Sequence, residues 1–311
     1  MKLINAVSEF IGYRRRLGQR FGTDERNLRL FSRSVGNSSR VADITEKQIE
    51  RFLTGKSCLP QSRSRKHHSL VGFERFLVSR GYRGSLSLPE RPRFTRNTFV
   101  PYILSRDELR RLLDAVPNRR GRLLQAQTLR TALLLLYGAG LRISEAVSLN
   151  QCDVDVSAAL LTVRESKFYK TRLVALGPHL NDAMTLYAKW RVAEGQSRRG
   201  DAPFFVLRSG ARLNQDIIRR AFHYLRAYAK IRRPDGQRPR LHDLRHSFAV
   251  HRLLAWYRQE ADVQTLLPKL AVYLGHIRLS CTQVYLSMTP ELLQQASARF
   301  EKYASPEVCH E

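Results

Sequence analysis

Five side chains in this sequence have the types needed to handle a phosphodiester. His242 and Arg245 stand three apart in His242-Asp-Leu-Arg245. His276 closes Leu274-Gly-His276, and Tyr285 follows nine residues later. Arg142 lies earlier, in Gly140-Leu-Arg142-Ile-Ser-Glu145. Two arginines, two histidines and a tyrosine on a strongly basic chain point to attack of a tyrosine hydroxyl on a DNA phosphodiester. That reaction would need no metal and no other cofactor. Its phosphorane transition state gathers negative charge on two non-bridging oxygens, which the planar, permanently charged fork of an arginine suits. Arg142 and Arg245 would be that pair. Tyrosine fits the nucleophile because it can leave again, and the phosphotyrosine bond conserves the energy of the broken one. Rejoining then needs no ATP, and the chain has no G-x-x-x-x-G-K-[ST] phosphate loop. The departing 5′ oxygen needs a proton, for which Lys167 and Lys170 are candidates, Lys167 being better placed. His242 could take the tyrosine proton or hydrogen-bond the phosphate, and His276 could do likewise. Taken singly these signals are weak: H-x-x-R arises often by chance, and Tyr285 is one of twelve tyrosines. Order and spacing together carry them.

The elements that must position these groups are mostly helical. Residues 1–82 read as a bundle of four short helices. Within it, Thr45-Glu-Lys-Gln48 is a capping box before Ile49, Phe52 and Leu53, and Leu70, Phe73, Phe76 and Leu77 recur at helical spacing. Arginines crowd the polar faces of this bundle, and His67-His68 reads as surface. Pro89, Pro92 and Pro101, with Arg91, Arg93 and Arg96 between them, mark a basic linker at 89–101. The predicted domains are therefore 1–88 and 102–311. A second capping box, Ser105-Arg-Asp-Glu108, opens a helix with Leu109, Leu112 and Leu113 on one face. Leu129 to Tyr137 is a core helix that ends at Gly138-Ala-Gly140 and so delivers Arg142. Leu161-Thr-Val163 and Leu173–Leu176 read as two strands around Lys167-Phe-Tyr-Lys170, and Phe204–Leu207 as a third. Helices resume at Gln215 and again from His242. Residues 290–302 form a last amphipathic helix with Leu292, Leu293, Ala296 and Phe300 on a face. The fold class is mainly α with a small antiparallel β-sheet.

Composition fits a polyanion partner. The 311 residues carry 54 Lys and Arg against 27 Asp and Glu, a formal charge of +27. Residues 1–95 hold 20 of those basic and 8 of those acidic residues, so both halves could touch the same nucleic acid, with binding that weakens steeply with salt. Cys58, Cys152, Cys281 and Cys309 include no C-x-x-C pair, which argues against a disulfide framework or a zinc site. No apolar run approaches ~18 residues, so a cytoplasmic, nucleoid-associated protein is expected.

The series of motifs resembles the tyrosine recombinase (phage integrase) family over about residues 102–300. Gly140-Leu-Arg142-Ile-Ser-Glu145 is similar to the family's first arginine box, and His242-Asp-Leu-Arg245-His246-Ser-Phe-Ala249 to its H-x-x-R box. Leu274-Gly-His276 and Thr282-Gln-Val-Tyr285 match its later histidine and its nucleophile, and Ser166-Lys167 its hairpin lysine. The resemblance implies that Arg142, Arg245 and His276 cradle the scissile phosphate. It makes His242 a proton-transfer group, Lys167 the acid for the 5′ oxygen and Tyr285 the bearer of a 3′-phosphotyrosine, with Glu145 in support. Phe168-Tyr169 departs from the Gly-rich hairpin tip of chromosome-dimer resolvases. This departure and the high basicity favour a mobile-element enzyme for integration, excision or transposition.

The resemblance also implies a helical core-binding domain and a catalytic domain clamped around double-stranded DNA bearing inverted repeats. A homo-tetramer on synapsed sites would act through a Holliday junction, with the last helix docking on a neighbouring subunit, and a partner recombinase or DNA-bending protein could assist. Two other readings stay open at this point: a type IB topoisomerase, which would relax DNA without synapsis, and a non-catalytic basic DNA-binding regulator.

Overall fold

The computed structural model describes residues 1–19, 21–55, 59–82, 86–90, 100–119, 121–164 and 171–304. Lys167, Lys170, the Phe168-Tyr169 tip, Cys58, Cys309 and most of the 89–101 segment lie outside the described residues. The chain divides into two compact units, Met1–Thr98 and Phe99–Glu311.

Among the described residues, the first unit holds four α-helices: α1 (Leu3–Arg16), α2 (Gly22–Val35), α3 (Glu46–Thr54) and α4 (Pro60–Ser79). Helix α3 starts where Thr45 Oγ1 accepts from the Gln48 backbone N–H at 3.3 Å while Gln48 Oε1 accepts from Thr45 N–H at 2.9 Å. Phe10 is central, its ring 5.0–5.7 Å from those of Phe21, Phe73 and Phe76. Burial of each such side chain contributes roughly 1.5–3 kcal/mol. His67 departs from expectation. Ser64, His67 and Leu70 share the inner face of α4 at intervals of three, so His67 is buried, and its Nε2 lies 2.8 Å from the Pro89 carbonyl. Its neighbour His68 is exposed.

The second unit opens with α5 (Arg106–Asp114), capped by the Ser105–Glu108 box, then α6 (Ala126–Gly138) and the short α7 (Ile143–Ser148). A three-stranded antiparallel sheet follows in the order β1 (Val154–Asp155), β2 (Leu160–Val163), β3 (Arg172–Ala175), with Leu161 paired to Val154 and Val174. Leu161, Val163 and Val174 face the core at alternate positions. Helices α8 (Pro178–Ala193), α9 (Gln215–Tyr228), α10 (Asp243–Arg258), α11 (Val263–Leu274), α12 (Ser280–Gln283) and α13 (Pro290–Ala304) complete the unit, with a 3₁₀ turn at Val284–Ser287.

Phe204–Leu207 is not the third strand. All four side chains are buried, and the segment makes only isolated bridges, Asn150 with Pro203 and Val206 with Arg212. A strand with one solvated face alternates; this run is a core-filling loop, and the third strand is β1 instead. Helix α8, which sequence reasoning did not mark, packs Met184, Tyr187 and Arg191 inward. Helix α6 is the axis of the core, with Leu129, Leu133, Leu135 and Leu136 buried. A neighbouring apolar cluster built on α10 and α11 contains both Tyr285 and Leu292.

Among the described residues, Cys152 and Cys281 are free thiols. No helix there is long and apolar enough to cross a membrane, and no group of side chains is arranged to hold a metal ion.

Candidate active site

Arg142 is placed by the turn between α6 and α7. Gly140 takes φ +59°, and a Cβ there would lie 2.5 Å from Phe248 Cδ1 and 2.9 Å from Leu274 Cδ2. Glycine is needed both for the left-handed backbone and for the close approach to α10 and α11. Two residues on, Arg142 occupies the N-cap of α7. Its backbone N–H donates to Glu145 Oε2 at 3.0 Å, its Nη1 to Glu145 Oε1 at 2.7 Å, and its Nη2 to the Gly275 carbonyl at 2.8 Å. The side chain remains 25% exposed, so part of the fork is open to a ligand.

Arg245 rises from the first turn of α10 and is 2% exposed. Nη1 donates to the Gly140 carbonyl at 2.7 Å and Nη2 to the Leu274 carbonyl at 2.6 Å. Burial, then repulsion from Arg142, lowers its pKa to about 10, which still leaves it charged at neutral pH.

The C-terminus of α11 organises both arginines. Gly275 caps it in the left-handed conformation, φ 69° and ψ 41°, and His276 N–H bonds back to the Ala271 carbonyl at 2.9 Å. The final carbonyls of a helix lack intrahelical partners and carry the negative end of its dipole. Here the carbonyls of Tyr273, Leu274 and Gly275 accept from Arg172, Arg245 and Arg142 respectively.

Arg172, at the start of β3, was missed as a site residue. Its Nη1 and Nη2 hold both oxygens of Glu145, at 3.1 and 2.9 Å. Burial would raise the Glu145 pKa, but hydrogen bonds and charge from Arg172, then Arg142, hold it at about 2.

His276 follows Gly275 directly, and its Nδ1 lies 2.7 Å from Thr282 Oγ1. With the Thr282 hydroxyl donating to Nδ1, the ring would carry its proton on Nε2 as a donor to a ligand. His242, at the N-cap of α10, sits edge-on to His246, ring centroids 4.8 Å apart. Burial, then Arg245, lowers the pKa of both His242 and His276 to about 4. The His242 side chain is nevertheless exposed, and repulsion from Arg245, Arg240 and Arg142 works in the same direction. Both rings are neutral at pH 7, able to accept or donate.

Tyr285 lies on the 3₁₀ turn after α12, 3% exposed. Its ring stacks on His276 with centroids 6.1 Å apart, and its hydroxyl is 3.0 Å from His246 Nδ1. Burial raises its pKa, with Arg245 opposing, so the hydroxyl is protonated at pH 7 and needs a base to become a nucleophile. His246, lowered to about 3 chiefly by burial, is neutral and in contact with that hydroxyl.

Arg142, Glu145, His242, Arg245, His276 and Tyr285 are therefore brought together by the fold, while Lys167 lies outside the described residues. Sequence reasoning passed over Arg172, His246 and Thr282. His246 had a signal, since it lies four residues from His242 and so on the same helical face. Thr282 had none beyond lying within a quoted motif, and Arg172 none beyond preceding the strand predicted at Leu173–Leu176.

Comparison with known proteins bears on the family and the fold. The profile of the phage integrase family matches residues 103–291. A provisionally named integrase/recombinase of Sinorhizobium fredii, y4rE, is 36% identical over 296 residues, 94% of each chain. Tyrosine recombinase XerC of Chlorobaculum tepidum is 30% identical over 298 residues, 89% of this chain and 83% of that one. Among solved structures, the Tn1549 transposon integrase in complex with transposon right-end DNA superposes with TM-score 0.66 at 16% identity, covering 98% of this chain and 100% of that one. A lambda integrase tetramer bound to a Holliday junction gives 0.64 at 16% identity, covering 92% and 77%. At these identities the structural likeness bears on the fold.

Proposed function

This chain belongs to the phage integrase family, the tyrosine recombinases, and from that premise we infer that it cleaves and rejoins DNA at specific sites with Tyr285 as nucleophile. The observation that carries this is the placement of the Tyr285 hydroxyl against a neutral imidazole, His246, with His276 stacked on its ring and the charges of Arg245 and Arg142 near it. The open part of the Arg142 fork and the Nε2–H of His276 bind the non-bridging oxygens of the scissile phosphate, with the charge of the buried Arg245 close by. The Tyr285 oxygen forms a bond to phosphorus, its proton passing to His246 or His242. The bond from phosphorus to the 5′ oxygen breaks, and Lys167 protonates the departing oxygen. A 3′-phosphotyrosine and a free 5′ hydroxyl result. The reverse reaction with the 5′ hydroxyl of another strand rejoins DNA with no external energy source.

The partner is double-stranded DNA carrying an inverted-repeat site, and the working assembly is a homo-tetramer on two synapsed duplexes that exchanges strands through a Holliday junction. The lambda integrase tetramer supports that assembly, and the transposon integrase supports a mobile-element role. On α13, Leu292 is buried in its own chain whereas Leu293 is 52% exposed, a side chain suited to a neighbouring subunit. Leu293→Glu is expected to abolish synapsis and spare single-site binding; retained synapsis refutes the docking role.

The direct test is covalent trapping. The protein is mixed in EDTA with nicked duplexes drawn from the DNA flanking its gene, beside Tyr285→Phe. A denaturant-stable adduct that requires Tyr285 is the expected result, and sequencing the trapped DNA gives the site. Specific binding with no adduct rejects the catalytic assignment.

A further inference from the structure

Arg172 has no part in the chemistry assigned above, yet it is the most thoroughly engaged arginine near the site. Its side chain is 10% exposed. Each of its three nitrogens donates: Nε to the Tyr273 carbonyl at 3.0 Å, Nη1 to Glu145 Oε1 at 3.1 Å and Nη2 to Glu145 Oε2 at 2.9 Å. A Cβ on Gly275 would lie 2.8 Å from its Nη1 and 2.9 Å from its Cζ, so α11 ends on a residue with no side chain directly against this guanidinium.

Glu145 is 5% exposed. A buried carboxylate is costly unless its lone pairs are filled and its charge is met. Four N–H donors fill it, two from Arg142 and two from Arg172. The two arginines differ in what remains. Arg172 spends its fork on Glu145 and the end of α11, whereas Arg142 keeps a quarter of its side chain exposed. If Arg172 were absent, Glu145 would keep only its Arg142 contacts and could turn with it. The carboxylate that aims Arg142 would then no longer be fixed.

We propose that Arg172 is a positioning residue: it clamps Glu145 against the C-terminal end of α11 and thereby aims Arg142 at the scissile phosphate. Lysine could not replace it, since a single ammonium cannot span both carboxylate oxygens and the Tyr273 carbonyl in one plane.

The inference rests on the recombinase reading, and the experiment separates the two. Single-turnover formation of the covalent adduct is followed on the nicked duplex that wild type traps best, together with non-covalent binding to the same duplex and thermal unfolding. Wild type and Tyr285→Phe read the function: no Tyr285-dependent adduct with wild type overturns the recombinase reading and this proposal with it. Arg172→Ala and Arg172→Lys read the positioning role. Because displacement of a catalytic group by an ångström can cost about 10²-fold, Arg172→Ala is expected to slow adduct formation about that much, with binding within a few-fold of wild type. Arg172→Lys should recover only part of the loss.

The pH dependence distinguishes aiming from mere support of the fold. With Arg172 in place Glu145 is ionised down to about pH 2, so it imposes no acid limb on the rate between pH 5 and 8. Without its strongest partner the carboxylate takes up a proton as pH falls, and an acid limb should appear in Arg172→Ala. Glu145→Gln, which cannot titrate, should be slow with no such limb and serves if Arg172→Ala does not fold. Wild-type rates in both Arg172 variants, a loss fully matched by lost binding, or a Glu145→Gln variant of wild-type rate each overturn the proposal.

Discussion

The hydroxyl of Tyr285 lies 3.0 Å from Nδ1 of His246, a neutral imidazole one residue beyond Arg245 and one turn along α10 from His242. The proposed nucleophile thus rests against a proton acceptor in the folded chain. The cost of holding a phenol at 3% exposure is met by that hydrogen bond and by apolar contacts from α10, α11 and α13. Four consequences can be measured.

Tyr285→Phe keeps the ring and its stacking on His276 but removes the hydroxyl. Covalent attachment should vanish, specific binding should remain, and stability should change by only about 0.5–1.5 kcal/mol, the net worth of one hydrogen bond. Denaturant unfolding and an adduct gel check both. An adduct that persists assigns the nucleophile elsewhere.

His246 and His276 are held near 3 and 4 by burial first, whereas an unfolded histidine titrates near about 6.5. Between those values the unfolded chain binds more protons than the native one, so unfolding is favoured as pH falls. The stability these rings contribute is fully present above about pH 6.5 and is lost towards pH 4. The melting temperature should drop between pH 7 and 4.5, and His246→Asn should flatten the drop. A melting temperature constant across that window would contradict burial of neutral rings.

Gly275→Ala forces a left-handed φ on a residue with a Cβ and drives that atom to 2.8 Å from Arg172 Nη1. Backbone strain alone is worth about 1–3 kcal/mol. A lower unfolding midpoint should come with a slower cleavage step, because Arg172 and Arg142 both lean on this turn. Wild-type cleavage in a folded Gly275→Ala protein would show the turn to be dispensable.

Thr282→Val leaves the shape nearly unchanged but deprives His276 Nδ1 of its partner at 2.7 Å. The tautomer that presents Nε2–H to phosphate is then no longer enforced. Cleavage should slow by about 10-fold or more, less than the about 10²–10³-fold cost of losing a transition-state donor outright, and Thr282→Ser should restore most of it. Equal rates in the Val and Ser variants would mean that the hydroxyl does not orient the ring.

Much of the fold and site was legible in the residue order because the forces concerned act over one helical turn or one strand. The Thr45 and Ser105 boxes are i to i+3 hydrogen bonds and could be read directly, as could the inward alternation of Leu161, Val163 and Val174. The types and order of Arg142, His242, Arg245, His276 and Tyr285 pointed to tyrosine attack on a phosphodiester. Phe204–Leu207 misled because a run of apolar residues has the same local pattern in a buried strand and in a core-filling loop; which one forms depends on what packs around it. His67 misled for a similar reason, since its polarity pointed outward while the spacing along α4 turned it in.

The contacts of Arg172, His246 and Thr282 were decided by the tertiary structure. Arg172 meets Glu145 across 27 residues and the Tyr273 carbonyl across 101, and Tyr285 meets His246 across 39. No periodicity encodes such contacts. The sequence determined which groups could bind a phosphate and become covalently attached to it. Only the close packing of α7, β3 and α10 against the end of α11 determined which guanidinium stays open and which is spent holding a carboxylate, because hydrogen-bond geometry and burial depend on distances between segments that the order of residues does not contain.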